Sequence, residues 1–293
     1  MFGCRYPLQQ AGMGGVATPD LAIAVARAGG IGMLSGAIGH QALSAQLDAA
    51  PVDAAIGVNF LMPFLDRAAV DEAAGRSPLV EFFWAAPDAE LVDIVHRGGA
   101  RVGWQIGTAE EAKTARDAGC DVIVAQGIEA GGHVRGTLGL LPLLDEVRSH
   151  VDLPVIAAGG IGTGHAMAAA LTAGADAVRV GTRFVAATET AAHPAYVDAL
   201  IGATADDTVI TTAFGDGWPD APHRVLKSSI EAGQKLGPAH AWSPDWPQST
   251  YTGAAEARAL YAGQSVGAVR SRQSAAEIVA ELVDEAEQQL TRR

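Results

Sequence analysis

The stretch Gln126-Gly127-Ile128-Glu129-Ala130-Gly131-Gly132-His133-Val134-Arg135-Gly136 places a carboxylate, an imidazole and a guanidinium together, directly after the apolar run DVIVA. An imidazole accepts a proton at neutral pH and can then stabilise the anion it has generated, because its ordinary pKa lies near 6.5. Gly131 and Gly132 let the backbone bend close to a flat ligand while presenting His133 over it, which makes His133 the candidate catalytic residue. Glu129 either orients that imidazole or caps a nearby turn. A second constellation is Gly159-Gly160-Ile161-Gly162-Thr163-Gly164, followed by a helical segment, with Gly181-Thr182 further on. Glycine lets backbone N–H groups approach a phosphate, and the following helix N-terminus adds a favourable dipole.

Such groups need a scaffold, and the chain supplies a repeated one up to about residue 190. A short apolar run, a glycine-containing loop and an amphipathic alanine-rich segment recur, which is βα repeated. The predicted strands are 6–13, 30–36, 54–61, 79–85, 101–107, 121–127, 154–160 and 177–184. Between them lie helices such as PDLAIAVARAG, with Thr18 as N-cap and Pro19 at the first helical position, and TAEEAKTARDAG, capped by Thr108 and stopped at Gly119. Continuous Val/Ile/Ala strands without polar alternation fit a parallel sheet covered by helices. Eight such units predict an α/β fold, a (β/α)8 TIM barrel, and in such barrels phosphate is often held after strands seven and eight, where the two glycine sites fall. A dinucleotide-binding sheet is the rival, since Gly12-Met13-Gly14-Gly15-Val16-Ala17 matches its fingerprint, but no carboxylate follows at the required distance.

Composition narrows the partners. The chain has 293 residues, 49% hydrophobic, with a formal net charge of -13. That charge repels a nucleic-acid backbone, and no basic cluster offsets it. Cys4 and Cys120 are the only cysteines and have no metal-binding or disulfide spacing, so no metal is expected and a reducing, cytoplasmic location fits. No apolar run is long enough to span a bilayer, so no membrane partner is expected. Ser35 stands in GMLSG, one position out of register for a nucleophile elbow. Neither cysteine is placed to act as a loop nucleophile at the strands' C-terminal ends.

AAGGIGTGHAMAAALTAGADAVRVGTRF resembles the phosphate-binding half of FMN-dependent barrel enzymes. GIEAGGHVRG, with QAGMGGVATPDLAIAVARAGGIGML, resembles the nitronate monooxygenase (2-nitropropane dioxygenase) family. The likeness covers nearly the whole chain, including GVNFLMPF and YAGQSVGAVRS. It implies that FMN lies across the barrel mouth, with Ala11, Gly12 and Met13 flanking the isoalloxazine and Asn59 bonded to it. Gln105 and Gln126 would sit near the ring and ribityl chain, and Gly131 would bring the loop backbone close to the ring. Gly159, Gly160, Gly181 and Thr182 would hold the phosphate. It further implies that His133 is the base for a neutral nitroalkane and a polar partner for the nitro or nitronate group. Many members carry arginine directly after the histidine; here Val134 intervenes, and Arg135 reads as a solvated loop charge. His165 reads as a structural helix-end residue.

The expected activity is oxidation of an alkyl nitronate, a small carbon-acid substrate, with O2. An FMN-dependent NAD(P)H enoyl-thioester reductase is the alternative, since it shares the barrel and a similar AGGH motif, and a flavin- or phosphate-binding barrel without turnover is a third. One domain spanning 1–293 is expected. Within it, 203–253 form an irregular excursion carrying Trp218, Trp242 and Trp246, and 254–293 form a C-terminal helical segment. The excursion serves as a lid, as a contact in a homo-oligomer, or as packed surface. Ser274 and Glu277 predict a capping box, with Ile278 and Leu282 on the buried face of a docked terminal helix.

Overall fold

The computed structural model describes residues 2–291. Eight parallel strands form one sheet: β1 (Leu8–Gln10), β2 (Gly32–Ser35), β3 (Ile56–Leu61), β4 (Leu79–Phe83), β5 (Arg101–Ile106), β6 (Val122–Gln126), β8 (Val155–Ala158) and β9 (Ala177–Val180). A two-residue strand, β7 (Gly132–His133), lies between the sixth and seventh of them in the chain. The sheet order is β1-β9-β8-β6-β5-β4-β3-β2, and a bridge between Gln9 and Ile31 joins its two edges. The result is the expected (β/α)8 barrel.

Each strand lies within the run where the repeated pattern placed it but is shorter, most of all the first, which covers only Leu8–Gln10 of the expected 6–13. The run 177–184 ends as a strand at Val180, and Thr182–Val185 form a helical turn, so Gly181 marks a change of direction. The helices start as their caps require. Thr18 Oγ1 accepts from the Leu21 N–H (3.1 Å) with Pro19 at the first position, and Thr108 Oγ1 accepts from the Glu111 N–H (3.2 Å).

Two apolar bodies follow from a closed sheet. One lies between strands and helices, where Phe60, Phe82 and Trp104 face one another across β3, β4 and β5. The other fills the lower barrel with Met33, Leu79, Val122, Val124 and Ile156. Because side chains alternate along a strand, inward positions form successive layers. Above the apolar layer the inward residues become polar: Gln9, Glu81, Arg179 and Gln105. Above these, at the strands' C-terminal ends, the barrel opens.

The segment 203–253 is more regular than its proline and tryptophan content suggests. β10 (Thr208–Thr211) and β11 (His223–Leu226) pair antiparallel, and a helix covers Lys227–Leu236. Prolines and glycines are confined largely to the connection between those strands and to the stretch after the helix, while TVIT and HRVL supply β-branched residues. β11 also pairs with β7, setting His223 opposite His133 and Arg224 opposite Gly132. The excursion is thus built into the loop that carries the candidate catalytic histidine.

The terminal helix, Ala275–Thr291, packs against Gly164–Thr172. Its capping box is formed: Glu277 N–H donates to Ser274 Oγ (3.2 Å), and Ser274 N–H donates to Glu277 Oε2 (2.7 Å). Ile278 and Leu282 are buried. Among the described residues no helix is long and apolar enough to cross a membrane.

Candidate active site

The barrel mouth holds a cavity enclosing about 1070 Å³, its opening included. Ala11, Gly12 and Met13 after β1, Asn59 on β3, Gln105 on β5 and Gln126 on β6 line it. So do Gly131 and His133 of the loop after β6, Gly159 and Gly160 after β8, and Gly181 and Thr182 after β9. Every residue singled out from the sequence as a site residue therefore reaches one chamber.

The glycine pair makes a concave corner. Gly159 has φ +110° and Gly160 φ +68°, conformations that L side chains adopt only with strain, and together they turn the chain at the end of β8. Across the corner, the Gly263 N–H donates to Thr182 Oγ1 (3.0 Å), so the hydroxyl keeps its own hydrogen for another acceptor. The helix that follows does not contribute as expected. Gly164 N–H donates to Glu285 Oε2 (2.8 Å) and Thr163 caps the Ala166 N–H (3.2 Å), so a carboxylate of the terminal helix already occupies that N-terminus. An anion in the corner depends on the glycine backbone and Thr182 instead.

Gln105 and Gln126 have fixed amide orientations, because each is held by a partner of one kind only. Arg179 Nη1 donates to Gln105 Oε1 (2.7 Å), and a guanidinium can only donate. Gln126 Nε2 donates to the His133 carbonyl (2.9 Å), which can only accept. The first amide therefore has N–H groups to spare and the second has a free oxygen. Gln126 Oε1 is buried without a partner, as is His133 Nε2. Leaving such an atom unpaired costs about 1–3 kcal/mol, so both favour a ligand that meets them.

His133 is enclosed by aromatic rings. Trp218, from the β10–β11 connection, stacks on it at 3.9 Å with planes 23° apart, and Trp84 meets it edge-on at 5.5 Å. Trp84 has φ +79°, a strained conformation for a large side chain. Burial, with His223 as a smaller influence, pushes the His133 imidazole down to about 3. The sequence pointed to an ordinary imidazole at neutral pH. Enclosed in this way, the ring is a neutral hydrogen-bonding group and a weak base.

The remaining polar residues of the loop face elsewhere. Glu129 accepts from the Leu140 N–H through both oxygens (3.0 and 3.1 Å), capping the helix Leu140–Arg148, so of its two readings the cap is the one formed. Arg135 pairs with Glu111, so it is an ion-paired charge rather than a free one. His165 lies 3.8 Å from Glu285 and outside the cavity. Trp218 and Tyr261, both near His133, and Arg179, in the barrel, were not singled out from sequence as site residues. Only the position of arginine within the apolar run AVRV gave any local sign of the last.

The sequence model of the nitronate monooxygenase family matches residues 1–68 and 41–285. The chain belongs to the nitronate monooxygenase family. Its members are flavin-dependent oxidoreductases, and it takes a small-molecule substrate with O2. A nitronate monooxygenase of Pseudomonas aeruginosa is 32% identical, over 97% of this chain and 97% of that protein. Among solved structures, a nitroalkane oxidase from Streptomyces ansochromogenes superposes with TM-score 0.81 at 31% identity, covering 99% of each chain. FabK from Thermotoga maritima does so with TM-score 0.81 at 27% identity, over 98% of this chain and 94% of that one. The activity is that of a nitronate monooxygenase-like enzyme.

Proposed function

We propose that this chain, as one cofactor-binding domain over 1–293, uses FMN held across the barrel mouth to oxidise a small alkyl nitronate. The observation that carries the reading is the convergence in one cavity of a glycine corner suited to a phosphate and two buried, unpartnered polar atoms on Gln126 and His133. When bound, the flavin supplies the electron-accepting chemistry. Gly159, Gly160, Gly181 and Thr182 hold the phosphate. Ala11, Gly12, Met13 and Gly131 would lie against the ring, Asn59 would bond it, and Gln105 and Gln126 would stand near the ring and ribityl chain.

His133 binds and orients the substrate. A neutral imidazole donates through one nitrogen, and Nε2–H directed at a nitronate oxygen satisfies both partners. A nitronate arrives already deprotonated, so a ring that is a weak base suits it better than a neutral nitroalkane. Trp84, Trp218 and Tyr261 exclude water around that contact. The segment 203–253 serves as a lid, and the free cysteines, Cys4 half-buried and Cys120 buried, suit a cytoplasmic location.

The test is anaerobic. Protein loaded with FMN is mixed separately with a preformed nitronate, NADH and NADPH while the flavin absorbance is followed. Bleaching by the nitronate alone is expected. Rapid bleaching by a nicotinamide, with no change from the nitronate, overturns the reading in favour of an enoyl-thioester reductase.

A further inference from the structure

Among the described residues, Arg179 is the sole formally charged side chain lining the cavity. It belongs to the polar layer beneath the chamber, and each of its three nitrogens donates one hydrogen bond. Nε donates to Gln9 Oε1 (2.7 Å), Nη1 to Gln105 Oε1 (2.7 Å) and Nη2 to Glu81 Oε2. Gln9 in turn donates to Glu81 Oε1 (2.7 Å). Glu81 is fully buried and does not reach the cavity, whereas Arg179 does. The pair is therefore an oriented dipole with its positive end toward the chamber and its negative end in the barrel core.

A fold needs no ion pair at this depth, because well-packed apolar residues commonly serve as well or better. The chamber's other polar lining consists of neutral amides, hydroxyls, backbone groups and the imidazole of His133. None of these offers a full positive charge to a cofactor that becomes anionic when it accepts electrons. Such charges are worth most where water is excluded and the partner is fixed in advance.

We propose that Arg179, oriented by Glu81 and Gln9, is the electrostatic partner of the negative charge that reduction places on the flavin ring. The inference rests on the FMN reading above. Arg179 acts directly through its charge, and through Gln105 by forcing that amide to present N–H to the chamber. Glu81 restrains the effect and keeps the guanidinium in place while the cofactor is oxidised.

Sulfite is a probe that needs no turnover. Its sulfur lone pair forms a bond to N5 of oxidised flavin, and the displaced electron pair settles on the pyrimidine side, giving an anionic adduct read by loss of flavin absorbance. Replacing the pair with neutral amides, Arg179→Gln with Glu81→Gln, is expected to weaken sulfite binding at least about tenfold in protein that still holds FMN, since loss of a charge interaction of about 1.4 kcal/mol is a tenfold change. The single variant Glu81→Gln is expected to tighten it. Sulfite affinity within twofold of wild type in the double variant overturns the proposal.

A second measurement uses the unaltered holoenzyme and so does not depend on a variant folding. The flavin N3–H is titrated in the bound and free cofactor. Nearby positive charge lowers that pKa, whereas burial alone raises it. A value below that of free FMN is expected, and one above it overturns the proposal. Protein that takes up no FMN overturns the cofactor reading itself. Failure of nitronate turnover with sulfite binding ordered as stated overturns only the substrate.

Discussion

The imidazole of His133 and the indole of Trp218 stack at 3.9 Å, although one belongs to the loop after β6 and the other to the excursion. The contact covers the ring that is expected to meet substrate. Trp218 therefore screens one face of the imidazole from water and leaves Nε2, on the ring's edge, for the substrate.

Replacing it should change what the enzyme accepts. In Trp218→Ala, water reaches His133 and its pKa rises from about 3 toward the ordinary value. The ring becomes a stronger base, so kcat/KM for a neutral nitroalkane should rise about tenfold relative to that for the preformed nitronate, within the range a positioned base contributes. Paired assays at one pH measure that ratio. An unchanged ratio would show that Trp218 does not set the basicity of His133.

The same burial predicts an acid limit on stability. A histidine held at about 3 when folded and near 6.5 when unfolded binds its proton only in the unfolded chain between those values. Stability is therefore full above about pH 6.5 and declines as pH falls toward 3, by about 2 kcal/mol at pH 5 from this group. His223, also shifted downward by burial, acts in the same direction. Thermal melts of the apoprotein from pH 7.5 to 5 should fall more steeply for wild type than for His133→Gln; parallel slopes would contradict the assignment.

Gly160→Glu should lose FMN while the barrel persists. The φ of +68° strains any side chain there by about 1–2 kcal/mol. A Cβ would also lie 3.1 Å from Glu129 Cβ, and the added carboxylate would stand where a phosphate is expected. Gly160→Ala carries the same strain without the charge and should keep some flavin. Far-UV circular dichroism checks the fold and flavin absorbance the cofactor. Flavin retained by the Glu variant would place the phosphate elsewhere.

Much of this site was legible because its parts are local. Gly159 and Gly181 stand directly after strands and Gly131 lies in the loop that follows β6, and a strand's end in a barrel is a position in space. Thr18, Thr108 and the Ser274/Glu277 pair announced helix starts within a few residues of themselves. What was hidden depends on partners distant in the chain. Glu285 closes the helix N-terminus at Gly164, Glu81 sits under Arg179, and Trp218 reaches His133 only through the register of β11 on β7. No periodicity encodes such meetings. The neutral state of His133 was likewise hidden, since it comes from the rings around it and not from its neighbours in sequence.

Removing the Ser274 cap tests an element remote from the chemistry. Ser274→Ala loses the side-chain bonds to Glu277 and should cost about 1 kcal/mol, or roughly 2 °C in Tm for a chain of this size. Flavin content should not change. Loss of flavin on this substitution would mean that the terminal helix supports the phosphate corner more directly than through Glu285.

The joining of β7 to β11 also sets an order of events during folding. Barrel strands pair mostly with neighbours one βα unit away, so their loops close at modest entropic cost. His133 waits for His223, and Gly131 waits for Gly263, whose backbone nitrogen would lie 2.5 Å from a Cβ at that glycine. A nascent chain can therefore assemble all eight barrel strands before the ribosome has made the residues that seat its histidine. In refolding, the circular dichroism of the barrel should return ahead of the ability to hold FMN, and the cofactor would meet a scaffold already formed but an active site still open.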